Sequence, residues 1–229
     1  MTYADFNIQI PFGKSSGEVV TLCPQCSHTR KKSKDKCLGV NLDKRVWRCN
    51  HCGWSGFLKN EIEKVEYKKP TWVNKTELNT NVVKWFESRG ITQKTILKTR
   101  ITDGLEWMPQ TQKEENTIQF NYFRNNELVN VKYRTANKNF KLFKDAELIL
   151  YNLDGIKDSE TCFIVEGEID ALSLIEAGID NVVSVPNGAN LKTNNLQYLD
   201  NCFDYFLNKK EIYLWLDNDV AGRKLKYDL

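Results

Sequence analysis

Cys162-Phe163-Ile164-Val165-Glu166-Gly167-Glu168 is the stretch that decides the fold of this chain. Its apolar part is short and rich in β-branched and aromatic residues, which predicts a buried strand that ends at Glu166. A second run, Ile212-Tyr213-Leu214-Trp215-Leu216, has the same character and ends at Asp217-Asn218-Asp219. Acids at the carboxyl ends of strands lie where an α/β sheet binds its ligands. The two runs therefore predict a site at one edge of a sheet.

Glu166, Asp217 and Asp219 are the candidate ligands of that site. Carboxylates that converge repel one another unless a cation lies between them. Hard oxygen ligands suit Mg²⁺ or Mn²⁺, and two such ions about 3.5–4 Å apart can serve an in-line displacement on a nucleoside triphosphate. Asp-x-Asp also occurs by chance in surface loops. For Glu168 and Asp170, in the first turn of the following helix, the alternative role is to complement the helix dipole.

The order of elements around these acids predicts a parallel α/β sheet. Strands are expected over 161–165, 181–185 and 211–216, with helices over 168–177 and 194–207. A further helix is expected to begin at Val220. Since the sequence stops ten residues after Asp219, we expect it to be a fragment of a longer protein with a truncated sheet domain.

The preceding region predicts a different kind of sheet, so the fold class is α+β overall. Residues 117–143 alternate apolar and polar positions, with a hairpin signal at Asn125-Asn126 and a third strand over 140–143. Short helices are predicted over 81–88 and 92–99. Val131-Lys132-Tyr133-Arg134 places Lys132 and Arg134 on one strand face. With Lys138 and Lys141 these cations are interpreted as a triphosphate or template clamp, or alternatively as a solvated face.

Composition excludes several classes of protein. The hydrophobic share of 41% and the charged share of 28% are typical of a globular protein. The sequence contains no run of 18 apolar residues, so no membrane span is predicted. The N-terminus resembles neither a signal nor a transit peptide. Charge is uneven: residues 1–60 carry 10 Lys/Arg and 4 Asp/Glu, whereas residues 160–229 carry 6 and 12. This asymmetry favours a polyanion-binding part joined to a metal-binding part, although chance scatter is the alternative.

Two C-x-x-C pairs, Cys23-Pro24-Gln25-Cys26 and Cys49-Asn50-His51-Cys52, predict a zinc ribbon. His28, Cys37 and His51 are interpreted as ordinary loop residues, and Cys162 and Cys202 as small buried side chains. Zinc in a ribbon is structural, so the surface cations are expected to bind single-stranded nucleic acid. Trp47 and Trp54 are at least as well explained as the small core of this module. The predicted cations are Arg30, Lys31, Lys32, Lys34, Lys36, Lys44, Arg45 and Arg48.

The acidic motifs resemble those of a known fold. Val165-Glu166-Gly167-Glu168-Ile169-Asp170-Ala171-Leu172 and Leu216-Asp217-Asn218-Asp219-Val220-Ala221-Gly222 are similar to the Glu and Asp-x-Asp motifs of Toprim domains. With a zinc ribbon before them they resemble DNA primases, above all the primase half of bifunctional phage primase–helicases, to which Twinkle-type proteins are related. Asn137-Lys138-Asn139-Phe140-Lys141 resembles the family's basic subdomain, and Trp85 to Ile91 the helix that opens its polymerase domain.

This resemblance implies a template-directed RNA primase that uses ribonucleoside triphosphates on single-stranded DNA. Glu166, Asp217 and Asp219 would bind catalytic Mg²⁺ or Mn²⁺, and Lys132 and Lys138 would contact nucleotide or template, with Arg134 and Lys141 beside them. The family's zinc module reads the template initiation sequence. A helicase domain or replicative helicase, and a DNA polymerase, are the implied partners, in the cytoplasm of a bacterium or phage-infected cell.

The implied domain division has four parts. Residues 1–58 form the zinc ribbon, 59–75 a linker, 76–159 the basic subdomain of the polymerase domain, and 160–229 the Toprim subdomain. Two other functions stay open: a Toprim nuclease or topoisomerase, and a non-catalytic zinc-dependent DNA-binding module. The leading ribbon argues against a topoisomerase, since zinc modules usually follow the Toprim domain there. The intact acids Glu166, Asp217 and Asp219 argue against a non-catalytic module.

Overall fold

The computed structural model describes residues 2–58, 66–71, 77–191 and 195–229. The chain divides into two compact units, Met1–Glu66 and Tyr67–Leu229. The predicted linker over 59–75 lies outside the described residues except for 66–71. None of the helices in the described parts of the chain has the length and apolarity that a membrane crossing requires.

The first unit is a four-stranded antiparallel sheet of order β1-β2-β3-β4. Its core is small, and Trp47 is its largest buried side chain, packed against Phe6 and Trp54 at ring-centroid distances of 4.7 and 5.5 Å. Trp47 is therefore a core residue, as its position in so small a module indicated. The strands are β1 Glu18–Thr21, β2 Leu38–Asn41, β3 Val46–Cys49 and β4 Ser55–Phe57.

The second unit begins with two helices and a four-stranded antiparallel sheet of order β5-β6-β7-β8. Asn125 and Asn126, at φ of 50° and 63°, make the two-residue turn between β6 and β7, which confirms the predicted hairpin. The elements are α1 Thr80–Glu87, α2 Gln93–Lys98, β5 Thr102–Met108, β6 Lys113–Arg124, β7 Glu127–Thr135 and β8 Phe140–Leu142.

A three-stranded parallel sheet of order β10-β9-β11 follows, which confirms the predicted α/β alternation. Buried side chains of both sheets of this unit form one core cluster, and the division at residues 159 and 160 stays a prediction. The elements are β9 Thr161–Val165, α3 Glu168–Glu176, β10 Val182–Ser184, α4 Gln197–Cys202, β11 Glu211–Trp215 and α5 Val220–Asp228.

Two sequence-based expectations need correction, and one strand was not predicted. β11 is not a buried strand: it is an edge strand of the sheet, and Ile212, Tyr213 and Trp215 are 46%, 47% and 59% exposed. β5 was not predicted, because its sequence contains Gly104 and acidic residues and it depends on pairing with β6. The helix expected over 194–207 is shorter, and a 3-10 turn over Phe203–Tyr205 follows α4; the first residue of the expected helix, Asn194, lies outside the described residues.

Candidate active site and metal centre

A cavity of about 710 Å³ lies between the two sheets of the second unit. Its volume is in the range of small-ligand sites. Cations of β7, β8 and the turn between them line one side, and the loops after β9, β10 and β11 line the other. Among the predicted site residues, the cavity is lined by Lys132, Arg134, Lys138, Lys141, Glu166 and Asp217. Tertiary structure thus brings the basic hairpin and the acids to one place.

Glu166 directly follows β9 and lines the cavity. Its Oε1 accepts a hydrogen bond from the Ala189 N–H at 3.2 Å. Its Oε2 is buried and has no hydrogen-bond partner among the described residues. Burial, with the negative charges of Asp217 and Asp219, raises the pKa of Glu166, although the N–H groups of Ala189 and Asp217 act in the opposite direction. A buried, unpaired carboxylate oxygen beside a second acid fits a divalent cation.

Asp217 and Asp219, which follow β11, make different contacts. Asp217 lines the cavity. Asp219 is the N-cap of α5, and its Oδ1 accepts the Gly222 N–H at 2.8 Å. Its charge nevertheless raises the pKa of Glu166, as does that of Asp217. Whether Asp219 binds metal stays a prediction, because capping already engages one of its oxygens.

Asp170 is a further acid of the cavity, and its position in the sequence indicated only a role at the helix dipole. It lines the cavity, and its Oδ2 accepts the Gly167 N–H at 3.0 Å. Although Asp170 is exposed on one side, partial desolvation by the cavity wall raises its pKa, the charges of Asp217 and Glu168 add to this effect, and the Gly167 N–H opposes it. The spacing Glu166-x-Glu168-x-Asp170 at a strand-to-helix turn was the available signal. The acids that line the cavity are therefore Glu166, Glu168, Asp170 and Asp217, and Asp219 is not among them.

Glu168 and Lys132 form a buried ion pair in the cavity wall. Lys132 Nζ lies 2.9 and 3.0 Å from the two Glu168 oxygens, and the side chains are 12% and 5% exposed. The Tyr122 hydroxyl also donates to Glu168 Oε1. Lys132 is consequently neither a solvated cation nor an unpaired one, and any contact that it makes with nucleotide would be made from this ion pair.

The other predicted cations differ in how strongly they are held. Arg134 is buried, with its guanidinium 4.4 Å from the Trp85 ring centroid. Burial, with the nearby charge of Arg89, lowers the pKa of Arg134. Lys141 pairs with Glu106 at 2.7 Å. Lys138, at φ 59° in the turn after β7, is exposed and has no ionic partner among the described residues. Lys138 is therefore the exposed cation of this set, and it can bind an anion without first breaking an ion pair.

The four cysteines of the first unit converge, as predicted. Their sulfurs all lie within 4.8 Å of one another. The Cys23–Cys52 and Cys26–Cys49 sulfur distances are 3.8 and 3.7 Å, close to the edge of about 3.8 Å of a tetrahedron with metal–sulfur bonds of about 2.3 Å. Burial raises the pKa of the Cys23 and Cys26 thiols. Burial also acts on Cys49, but hydrogen bonds from the Cys52 and His51 N–H groups and with the Cys52 and Cys37 thiols lower the pKa of Cys49 to about 6. The donor set thus fits a four-thiolate metal ion.

Gly222 fixes the position of Asp217. A Cβ at residue 222 would lie 2.1 Å from the Asp217 carbonyl oxygen, a backbone atom that cannot turn aside. We expect Gly222→Ala to displace the loop after β11 and to lower the free energy of unfolding by about 1–3 kcal/mol. Urea unfolding measures this, with Lys226→Ala on the exposed face of α5 as the matched control. Equal unfolding midpoints for Gly222→Ala and the control would contradict the close approach.

Comparison with known proteins adds sequence relatives. Residues 163–229 match the Toprim-like family. The chain is 32% identical over 231 residues to a primase homolog protein of Arabidopsis thaliana, covering 91% of the chain and 67% of that protein. It is 31% identical to the chloroplastic/mitochondrial Twinkle homolog of the same plant, covering 96% of the chain. The chain spans only 33% of the length of that second relative.

Solved structures share the fold. The zinc-binding and RNA polymerase domains of the Aquifex aeolicus primase align over 99% of this chain and 72% of that one, with a TM-score of 0.53 and 16% identity. The primase fragment of the bacteriophage T7 primase-helicase aligns over 90% of this chain and 81% of that one, with a TM-score of 0.50 and 21% identity. Both likenesses confirm the predicted architecture, a zinc ribbon followed by a primase-like core with a Toprim sheet.

Proposed function

The chain belongs to the family of primase homologs with a Toprim-like domain, and from this membership we propose that it is a DNA primase. It would join ribonucleotides into short primers on single-stranded DNA. The observation that carries the proposal is the buried, unpaired Oε2 of Glu166 in a carboxylate cluster that faces Arg134 and Lys138 across one cavity. Acids to hold divalent cations and cations to hold phosphates are the two halves of a nucleotidyl-transfer site.

The acids of the proposed site have distinct tasks. Bound Mg²⁺ or Mn²⁺ would supply charge stabilisation for the attack of a 3′-hydroxyl on an α-phosphate, with pyrophosphate as the leaving group. Glu166 and Asp217 would hold the cations, and Asp170 is placed to join them. The Ala189 N–H orients Glu166 through a hydrogen bond. Gly222 lacks a Cβ, which lets the Asp217 backbone pack closely against α5. Asp219 would contribute charge and the cap of α5.

The basic wall would bind the substrates. Lys138, exposed at the turn after β7, is the first candidate for a triphosphate or template phosphate. Arg134 presents a guanidinium held against Trp85, which suits a planar anion or a stacked base. Lys132 and Lys141 would act from within their ion pairs with Glu168 and Glu106.

The first unit would bind the template. We take its four-cysteine centre to hold structural Zn²⁺, because thiolates in a tetrahedral arrangement favour that ion. The exposed cations Lys31, Lys32 and Arg48 supply the charge that single-stranded DNA requires. The T7 likeness is to a fragment of a primase-helicase, and one relative is a Twinkle homolog. We therefore propose that this primase acts with a helicase and a replicative DNA polymerase.

The experiment is a synthesis assay on single-stranded DNA. The chain, ribonucleoside triphosphates and Mg²⁺ or Mn²⁺ are expected to yield short oligoribonucleotides and pyrophosphate in a template-dependent manner. The same protein without triphosphates is incubated with single-stranded and supercoiled DNA. Cleavage of either DNA without any RNA synthesis would contradict the primase proposal and favour a Toprim nuclease or topoisomerase. Tight DNA binding with neither reaction, and no divalent affinity at the acids, would point to a non-catalytic module.

A further inference from the structure

A fifth thiol belongs to the cysteine cluster of the first unit. Cys37 Sγ lies 3.6 Å from Cys49 Sγ and 3.9 Å from Cys26 Sγ. The Cys26–Cys49 distance is 3.7 Å, so the three sulfurs form a nearly equilateral triangle. Each side is close to the edge of about 3.8 Å expected for a tetrahedral metal–thiolate site. The distances of the Cys37 sulfur from the Cys26 and Cys49 sulfurs are therefore those expected of a third metal ligand.

The sheet explains why Cys37 occupies this place. It directly precedes β2, the strand between β1 and β3, and the two C-x-x-C pairs lie near the ends of these two neighbouring strands. The Cys37 N–H donates to the Thr21 carbonyl at 3.1 Å, and the Cys37 carbonyl accepts the Asn50 N–H at 2.9 Å. Because Asn50 lies inside the second C-x-x-C pair, the backbone of Cys37 is tied to the metal centre itself.

The Cys26 and Cys49 sulfurs belong to both possible sets of metal ligands, and the line between them is an edge that the two sets share. On one side of this edge lie Cys23 and Cys52, and Cys37 also contacts both sulfurs of the edge. A zinc ion takes four ligands, so five sulfurs cannot bind at once. Cys52 is the exposed member of the predicted quartet, whereas Cys37 is only 9% exposed. Cys52 is therefore the candidate ligand most accessible to displacement or oxidation, and the buried Cys37 thiol lies beside the same cysteine cluster.

We propose that Cys37 is a reserve ligand that replaces Cys52, so that Cys23, Cys26, Cys37 and Cys49 hold the ion when Cys52 is lost. The exchange keeps the shared Cys26–Cys49 edge. It requires a shift of the ion toward Cys37 and an adjustment of the Cys23 and Cys37 side chains, because Cys37 lies outside the set of four sulfurs that are all within 4.8 Å of one another. It lets the template-binding module keep its metal, and hence its fold, after damage to its exposed ligand. The proposal concerns metal binding alone and does not depend on the polymerase activity of the second unit.

The test is a Co²⁺ titration of the full chain, read by thiolate charge-transfer and visible absorption. Four proteins are compared: wild type, Cys52→Ser, Cys37→Ala, and the double variant. Cys52→Ser is expected to keep a four-thiolate spectrum, with an affinity within about tenfold of wild type. The double variant is expected to give a three-thiolate spectrum and to bind about 100-fold more weakly than Cys52→Ser. Cys37→Ala alone is expected to match wild type.

A purely structural Cys37 gives a different pattern. Cys37→Ala would then weaken binding equally with and without Cys52, and Cys52→Ser would already show three thiolates. Either result overturns the proposal. If the double variant fails to fold, the spectrum of Cys52→Ser alone still decides, and native mass spectrometry gives its Zn²⁺ stoichiometry. Cys162→Ala, which changes a buried cysteine of β9 in the second unit, is the control for cysteine loss outside the centre.

Discussion

Glu166→Gln is expected to lower template-directed RNA synthesis by about 10³-fold while the chain stays folded. A metal ion at a reacting phosphate contributes several kcal/mol of transition-state stabilisation, and each loss of about 1.4 kcal/mol is tenfold in rate. Glutamine keeps the shape of the side chain and can still accept the Ala189 N–H, but it removes the charge that would hold the ion. Primer yield per unit time on single-stranded DNA is the measurement.

Thermal unfolding separates this loss from a loss of fold. Because burial and the neighbouring acids raise the pKa of Glu166, ionising it costs folding free energy, and the metal-free chain loses stability as pH rises through that pKa. Mn²⁺ should relieve this cost and raise the melting temperature of wild type at neutral pH, but much less that of Glu166→Gln. Glu114→Gln, an exposed carboxylate on β6, is the matched control. Wild-type synthesis by Glu166→Gln would place the reaction elsewhere.

Glu168→Gln is expected to lower the free energy of unfolding by about 3–5 kcal/mol. The variant leaves the ammonium of Lys132, whose side chain is 12% exposed, without its counter-charge. Glutamine retains an acceptor for the Tyr122 hydroxyl, so the loss reports the ion pair itself. Urea unfolding gives the value. The control is Glu160→Gln, whose ion pair with Lys210 is exposed (70% and 67%) and is expected to contribute less than about 1 kcal/mol.

A double-mutant cycle completes this prediction. Lys132→Met alone leaves the Glu168 carboxylate buried without its cation, whereas Lys132→Met/Glu168→Gln removes both charges together. The double variant should therefore be markedly more stable than either single variant. If Lys132 also binds the nucleotide, this stable double variant will still synthesise primers poorly, with a raised KM for ribonucleoside triphosphates. Additive losses in the cycle would contradict a direct buried ion pair.

The sequence predicted the elements that carry local signals. Short β-branched and aromatic runs, the Asn125-Asn126 turn and the two C-x-x-C pairs each contain their own evidence. β5 carries no such signal, since it becomes a strand only by pairing with β6. The exposure of β11 was missed for a related reason: its composition is that of a central strand, and only the strand order shows that it lies at an edge.

The chemistry at the site divides in the same way. The sequence by itself predicted Glu166, Asp217, Asp219 and the paired cysteines as candidate metal ligands, because these signals depend on near neighbours in the chain. It did not single out Asp170 or Cys37. Only the tertiary structure decided how these side chains are used. It buried Lys132 against Glu168 and turned Asp219 into a helix cap. It also brought Cys37 to the metal centre. Such pairings join residues distant in sequence, and their burial and charge depend on how the strands pack together.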